Sequence, residues 1–192
     1  MKDVKELLEE VSEDQLRKSL LIIYDVVKEE FDSKPAAVKH HHIEAGGMNR
    51  HVKEVMNIAV LLYDAAPELY QCLRDDVICS AFVHDFNKLG GYQSLPPGDW
   101  RRQKKYGGAE FEHTQRLFMN ETANTVWICA TYGLILSPLV VNAVTFHHGF
   151  VSESAKDNVH ASAQMSPLSV LLHHADMMSV MAYDRKNIVG EY

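Results

Sequence analysis

The sequence predicts an all-α domain, a helical bundle of seven or eight helices, on three observations. Apolar residues recur at three- and four-residue spacing through most of the chain. Pro and Gly fall mainly between those runs rather than within them. No window alternates apolar and polar residues for long enough to require a strand, and no βαβ rhythm occurs. With 192 residues the chain can bury one substantial core, and 1–192 is read as a single domain.

Leu7, Leu8 and Val11 predict a first helix ending near Val11. Ser12 followed by Gln15 resembles a capping box, which starts a second helix carrying Leu16, Leu20, Ile23, Val26 and Val27. These N-terminal helices account for 1–34. Pro35 and the pair Gly46-Gly47 mark "PAAVKHHHIEAGG" as a loop. Val52, Val55, Met56, Ala59, Leu62 and Tyr63 form a helical stripe between Asn49 and Ala66, and Pro67 ends it. Leu73 to Asp85 is apolar on most sides, as expected of a central helix. Residues 88–109, rich in Gly and Pro, lack any sustained period and are read as an active-site loop. Helices are predicted at Glu110 to Met119 and at Thr122 to Tyr132, the latter stopped by Gly133. Two similar segments follow, "SPLVVNAVTFHHG" and "SPLSVLLHHADMMSVMAYD", each with Ser at the N-cap and Pro at the first helical position.

A composition of 46% hydrophobic and 23% charged residues is that of an ordinary soluble protein. The net charge of -7 argues against a duplex nucleic-acid partner, which needs a basic face. The three cysteines, Cys72, Cys79 and Cys129, form no CxxC pair, which excludes zinc-finger readings and fits a reducing, cytoplasmic setting. "MKDVKELLEEVSEDQ" lacks the apolar core of a signal peptide, and "VWICATYGLILSPLVV" is too short and too broken to span a bilayer, so no membrane partner is expected. A homo-oligomer is compatible with everything above.

Eleven histidines are the unusual feature, because many stand at the polar breaks of apolar helices. His51 opens one helix, His84-Asp85 ends the next, His113 lies early in a third, and His147-His148 closes a fourth. Asp176 sits between Ala175 and Met177 in the last helix, where an unpaired carboxylate would be costly to bury. Imidazoles and carboxylates gathered at the inner ends of several helices are what a divalent transition metal in a bundle requires. With no thiolate in the set, Mn, Fe, Co, Ni and Zn are all compatible. His40 is read as part of a surface run and His160 as a loop residue. Of His173 and His174, one is expected to orient a ligand from behind and the other to pack.

The order of His51, His84-Asp85 and Asp176 resembles the HD superfamily of metal-dependent phosphohydrolases. "PAAVKHHHIEAGGMNRH", "FVHDFNKLGGY", "EFEHTQ", "VTFHHG" and "LLHHADMMSVM" are similar in order and spacing to the HD catalytic domain of YhaM-type 3'-5' exoribonucleases. The likeness covers roughly 35–184. It implies that His51, His84, Asp85 and Asp176 hold a first metal. It also implies that His113, His147 and His148 add a second bridged by Asp85, so one or two divalent ions bind per chain. Asp85 and Lys88 are then the catalytic pair, with Lys88 meeting phosphate or developing negative charge. The substrate side is expected to comprise His42, Lys88, Arg101, Arg102, Lys104 and Lys105, the last four flanked by Trp100 and Tyr106.

Two departures narrow the expectation. The N-terminal 35 residues are helical, where the exoribonucleases carry a nucleic-acid-binding module, which speaks against processive RNA degradation. "GGYQSLPPGDW" stands where the diguanylate phosphodiesterases carry a GYP motif. The resulting expectation is a metal-dependent phosphohydrolase or phosphodiesterase that hydrolyses a nucleotide or a short single-stranded nucleic acid through a metal-activated water. A deoxynucleotide triphosphohydrolase, a non-catalytic HD regulatory module and a di-iron HD oxygenase are the alternatives.

Overall fold

A computed structural model describes residues 1–38, 41–103, 110–114, 119–149 and 164–189. Among these, the chain forms seven α-helices and a two-stranded antiparallel sheet. The helices are α1 (Val4–Glu9), α2 (Asp14–Ser33), α3 (Gly47–Ala65), α4 (Arg74–Val83), α5 (Glu121–Thr131), α6 (Pro138–Phe146) and α7 (Pro167–Val189). No described helix is long and apolar enough to cross a membrane.

α4 is the axis of the fold. Every residue from Val77 to Val83 is buried, so the helix has no solvent face and must be enclosed by others. It packs against α3 and α6, and α7 closes over α3 and α6. Its C-terminal end is clamped by aromatic contacts: Phe82 and Phe86 lie 6.0 and 6.1 Å from Phe31 of α2, and 5.0 Å from each other. These two rings bracket His84 and Asp85 in sequence, so burying them fixes where the pair points.

The junction of α1 and α2 differs from expectation. Glu13, not Ser12, caps α2, accepting from the Gln15 and Leu16 N–H groups. Ser12 instead donates both its N–H and its hydroxyl to Asp75 of α4, and the Glu13 N–H donates to the same carboxylate. A residue distant in sequence has claimed the serine, and its neighbour does the local capping. The two Ser-Pro starts are as expected: Ser137 Oγ accepts from the Val140 N–H, and Ser166 Oγ from the Ser169 N–H.

The helix expected over Glu110–Met119 is a correction. Phe111–His113 is strand β2, paired antiparallel with β1 (Tyr92–Ser94) in the register Tyr92 to His113 and Ser94 to Phe111; 115–118 lie outside the described residues. Two three-residue strands are too short for a period-2 pattern to register in sequence. The loop expected over 88–109 therefore holds β1 and a 3-10 turn at Trp100–Arg102, with 104–109 outside the described residues. The hairpin is tied to the bundle by the Tyr92 hydroxyl, which donates to the Ala36 carbonyl at 3.2 Å.

Candidate metal centre

His84 and His147 are delivered to the same place by the same local device. Each is the C-cap residue of its helix, α4 and α6. Each turns its Nδ1–H back onto the carbonyl three residues earlier, Ala81 at 2.8 Å and Val144 at 2.6 Å. A carbonyl can only accept, so Nδ1 carries the proton and Nε2 is left as the outward lone pair. After His84 the backbone breaks from the helix at Asp85, and a 3-10 turn at Phe86–Lys88 brings Lys88 Nζ to 2.6 Å from Asp85 Oδ2.

His51 comes from the first turns of α3, where it faces α7. Its Nδ1 lies 3.1 Å from Ser179 Oγ, and that hydroxyl donates to Glu54 Oε2 at 2.8 Å. With the serine proton spent on Glu54, the Ser179 oxygen must accept from the His51 Nδ1–H, so here too Nε2 faces inward. Glu54 Oε2 also takes the His42 Nε2–H at 3.1 Å, and His42 Nδ1 sits 3.2 Å from His41 Nδ1. The chain His41, His42, Glu54, Ser179, His51 thus satisfies each member in turn.

The inward nitrogens converge on two carboxylates. His51 Nε2 lies 3.4 Å from Asp85 Oδ2 and 3.2 Å from Asp176 Oδ1; His84 Nε2 lies 3.4 Å from Asp85 and 3.3 Å from His51 Nε2. His147 Nε2 is 3.9 Å from Asp85 Oδ1, buried, and without a hydrogen-bond partner. His148 Nδ1 lies 4.0 Å from Asp176 Oδ2, and its Nε2 lies 3.6 Å from Glu121 of α5. Two groups here place one ligand atom from each residue close enough to share an ion: His51, His84 and Asp85, and His147, His148 and Asp176. His41, His42 and His51 form a third such group.

The electrostatics are those of a cation site. Burial opposes ionisation of Asp85, but Lys88 and the neighbouring His84 and His51 hold its carboxyl well below the usual range. Asp176 is likewise held low against burial, chiefly by His51. Burial would lower His51, yet Asp176 and Asp85 on its Nε2 carry it up to about 9. The carboxylates hold a positive charge where an ion would lie. Burial pushes His147 down to about 3, with His148 adding to the effect, which keeps its lone pair available. Three ring nitrogens turned inward, one of them buried without a partner, and two carboxylates fit a divalent transition ion, which would displace the proton that the carboxylates hold on His51.

The other expected site residues are placed as follows. His113 is exposed at the end of β2, its ring 5.1 Å from that of Tyr92, and belongs to none of the three groups. His42 is fully buried, with Nε2 on Glu54 and φ at +47°, and Gly47 passes so close to its carbonyl that no side chain would fit there. Arg101 is committed to Asp99 and Glu112, and Arg102 donates to the Leu95 carbonyl at 2.7 Å. Lys104, Lys105, His40 and His160 lie outside the described residues. His173 Nδ1–H donates to the His147 carbonyl at 2.8 Å, and His174 is exposed. Glu54 and Ser179 were missed by the sequence reading. The only signal for Glu54 was its position one helical turn after His51, on the same buried stripe.

One characterised relative aligns with most of the chain. It is the dihydroneopterin 2',3'-cyclic phosphate phosphodiesterase of Methanocaldococcus jannaschii, 23% identical, with the alignment covering 92% of this chain and 67% of the relative. No family model matches the chain, and no solved structure gives a significant match. The HD resemblance therefore rests on the motif residues themselves.

Proposed function

We propose that this protein is a metal-dependent phosphodiesterase of the HD type acting on a small, nucleotide-like phosphodiester. One observation carries the reading: His51, His84 and His147 all commit Nδ1–H to oxygen acceptors behind them and turn Nε2 toward Asp85. The phosphodiesterase activity of the relative supports the same reaction class.

In this proposal His51, His84, Asp85 and Asp176 would hold one divalent ion, and His147 and His148, with Asp176 beside them, would hold a second. When bound, such ions supply polarisation of a phosphoryl oxygen and activation of water. Lys88 stays protonated because Asp85 beside it outweighs its burial, so a fixed positive charge stands next to the carboxylates where negative charge develops on phosphorus. Ser179 and the Ala81 and Val144 carbonyls keep the rings from turning. His148 is the one member with a largely open edge, and the substrate enters past it.

A small diester suits the site better than a long strand. The guanidinium groups of Arg101 and Arg102, which a nucleic-acid backbone would need, are taken up within the hairpin region. The test is turnover by chelator-stripped protein reloaded with Mn, Fe, Co, Ni or Zn. Substrates are bis(p-nitrophenyl) phosphate, a 2',3'-cyclic nucleotide and single-stranded RNA. The diesters are expected to turn over with at least one metal and to cease on chelation; no turnover of any substrate with any metal overturns the proposal.

A further inference from the structure

A cavity of about 470 Å³ lies between the C-terminal half of α2, the turn at 87–91 and α5. That volume is typical of small-molecule sites. Its apolar wall includes Val26, Met119, Trp127 and Tyr132, all four among the large apolar side chains that stand exposed. The polar lining is unusual in sign. It comprises Glu30, Glu121, Asn87, Asn124, Thr114 and Thr131, and no Lys, Arg or His occurs among the described lining residues.

Hydrogen bonding gives this lining a direction. Asn124 Nδ2 donates to the Asn87 carbonyl at 3.2 Å, which leaves its Oδ1 as the uncommitted end. The Oδ1 atoms of both Asn87 and Asn124 are buried without a hydrogen-bond partner. Buried carbonyl oxygens of this kind are stabilised when a donor reaches them. The carboxylates of Glu30 and Glu121, with the two amide oxygens buried just beneath the wall, repel a phosphate and attract N–H groups, while Trp127 and Tyr132 offer faces for a planar ring. The cavity adjoins the metal centre, because Glu121 belongs to its wall and lies 3.6 Å from His148 Nε2. Asn87 follows Asp85 by two residues.

We propose that this cavity receives the heterocycle of the substrate and selects a guanine-type edge, in which a ring N–H and an amino group stand side by side as two donors. The phosphoester then points past Glu121 to the histidines. Base binding stands on the cavity alone; its link to catalysis rests on the phosphodiesterase reading.

Trp127 reports on it directly. In a Trp100→Phe variant it is the sole tryptophan, since the chain has two. Chelator-treated protein is titrated with guanosine, inosine, adenosine and inorganic phosphate while Trp127 fluorescence is followed. Guanosine is expected to give saturable quenching, inosine to bind about tenfold more weakly for want of one donor, and phosphate to give none. Asn124→Ala should weaken guanosine about tenfold and leave inosine nearer its original value. If that variant does not fold, the guanosine-to-inosine ratio on the parent protein decides. Equal quenching by guanosine, inosine and adenosine, or none by guanosine, overturns the assignment. Diester turnover without guanosine binding removes the cavity and leaves the phosphodiesterase; guanosine binding without turnover by any metal form does the reverse.

Discussion

Asp85 and Asp99 are both answered by a basic residue close by in sequence, Lys88 and Arg101, yet the two pairs have different consequences. Asp99 and Arg101 sit in the hairpin region, and the guanidinium is shared between Asp99 and Glu112 with a large part of it in water. The charge is cancelled where it arises, and solvent screens what is left. Asp85 lies just beyond the stretch of α4 that is buried throughout, Val77 to Val83, with Asp176 across from it. Lys88 alone does not neutralise two buried carboxylates; the second charge is met by a proton on His51, which Asp176 and Asp85 carry up to about 9 against burial, and a bound metal ion would take the place of that proton. An exposed pair is electrostatically complete; the buried one is complete only with another cation. That imbalance, more than the density of charge, is what sets the two regions apart.

The sharpest way to break this comparison is Asp85→Asn, which keeps the shape and removes the charge. Metal affinity should fall by more than the roughly 100-fold that outer partners of ligands typically command, and phosphodiester turnover should drop to background. Metal analysis after dialysis checks it, and retained metal would move the centre away from Asp85.

Next come the residues behind His51. Glu54→Gln and Ser179→Ala should each weaken metal binding about 10- to 100-fold, read by competition with a chromophoric chelator, because the first frees the Ser179 hydroxyl that Glu54 orients and the second removes the acceptor that fixes the His51 tautomer. Ser179→Thr should restore most of it. Activity at saturating metal should recover in both weakened variants, separating a positioning role from a chemical one.

Asp75 tests a carboxylate whose partners are backbone groups rather than a cation. Burial works against its ionisation, but the Ser12 and Glu13 N–H groups and the Ser12 hydroxyl hold its pKa below the ordinary value. Asp75→Asn should lower stability by about 1–3 kcal/mol at pH 7 in urea unfolding. The sign with pH follows from the depressed value. The stabilisation is present above the unfolded-state pKa of about 3.9 and is lost as pH falls through the lower folded one, so the two proteins should converge as the pH is taken down through that window. A gap that stays constant with pH would rule the charge out.

The smallest effect is expected for Arg101→Ala, since its guanidinium is already occupied: KM for a small diester should change by less than about twofold. A tenfold rise would bring the hairpin back to the substrate.

Much of the architecture was legible because helices write their period into the chain. The starts at Ser137-Pro138 and Ser166-Pro167, the central helix ending at His84-Asp85, and the stripe of α3 all follow from local chemistry. Phe111–His113 was not legible, since a three-residue strand exists only by pairing with Tyr92–Ser94. Ser12 was misread for a related reason: its hydroxyl could cap a helix locally, but Asp75 offered a better acceptor from another helix. Of the site, histidines at helix ends announced themselves as residues out of place on apolar segments. Glu54 and Ser179 did not, because each is unremarkable until the other stands opposite.

By itself, then, the sequence determined the helical class and the residue types that meet near the start of α3, at the ends of α4 and α6 and midway along α7, because periodicity and capping are short-range. Only the tertiary structure decided which nitrogen of each histidine faces Asp85 and that His42 lies behind the site. It also decided that Arg101 is spent on its neighbours and that His113 stands apart. Those outcomes depend on acceptors contributed by other segments, and a hydrogen bond between distant residues has no signature in the order of either.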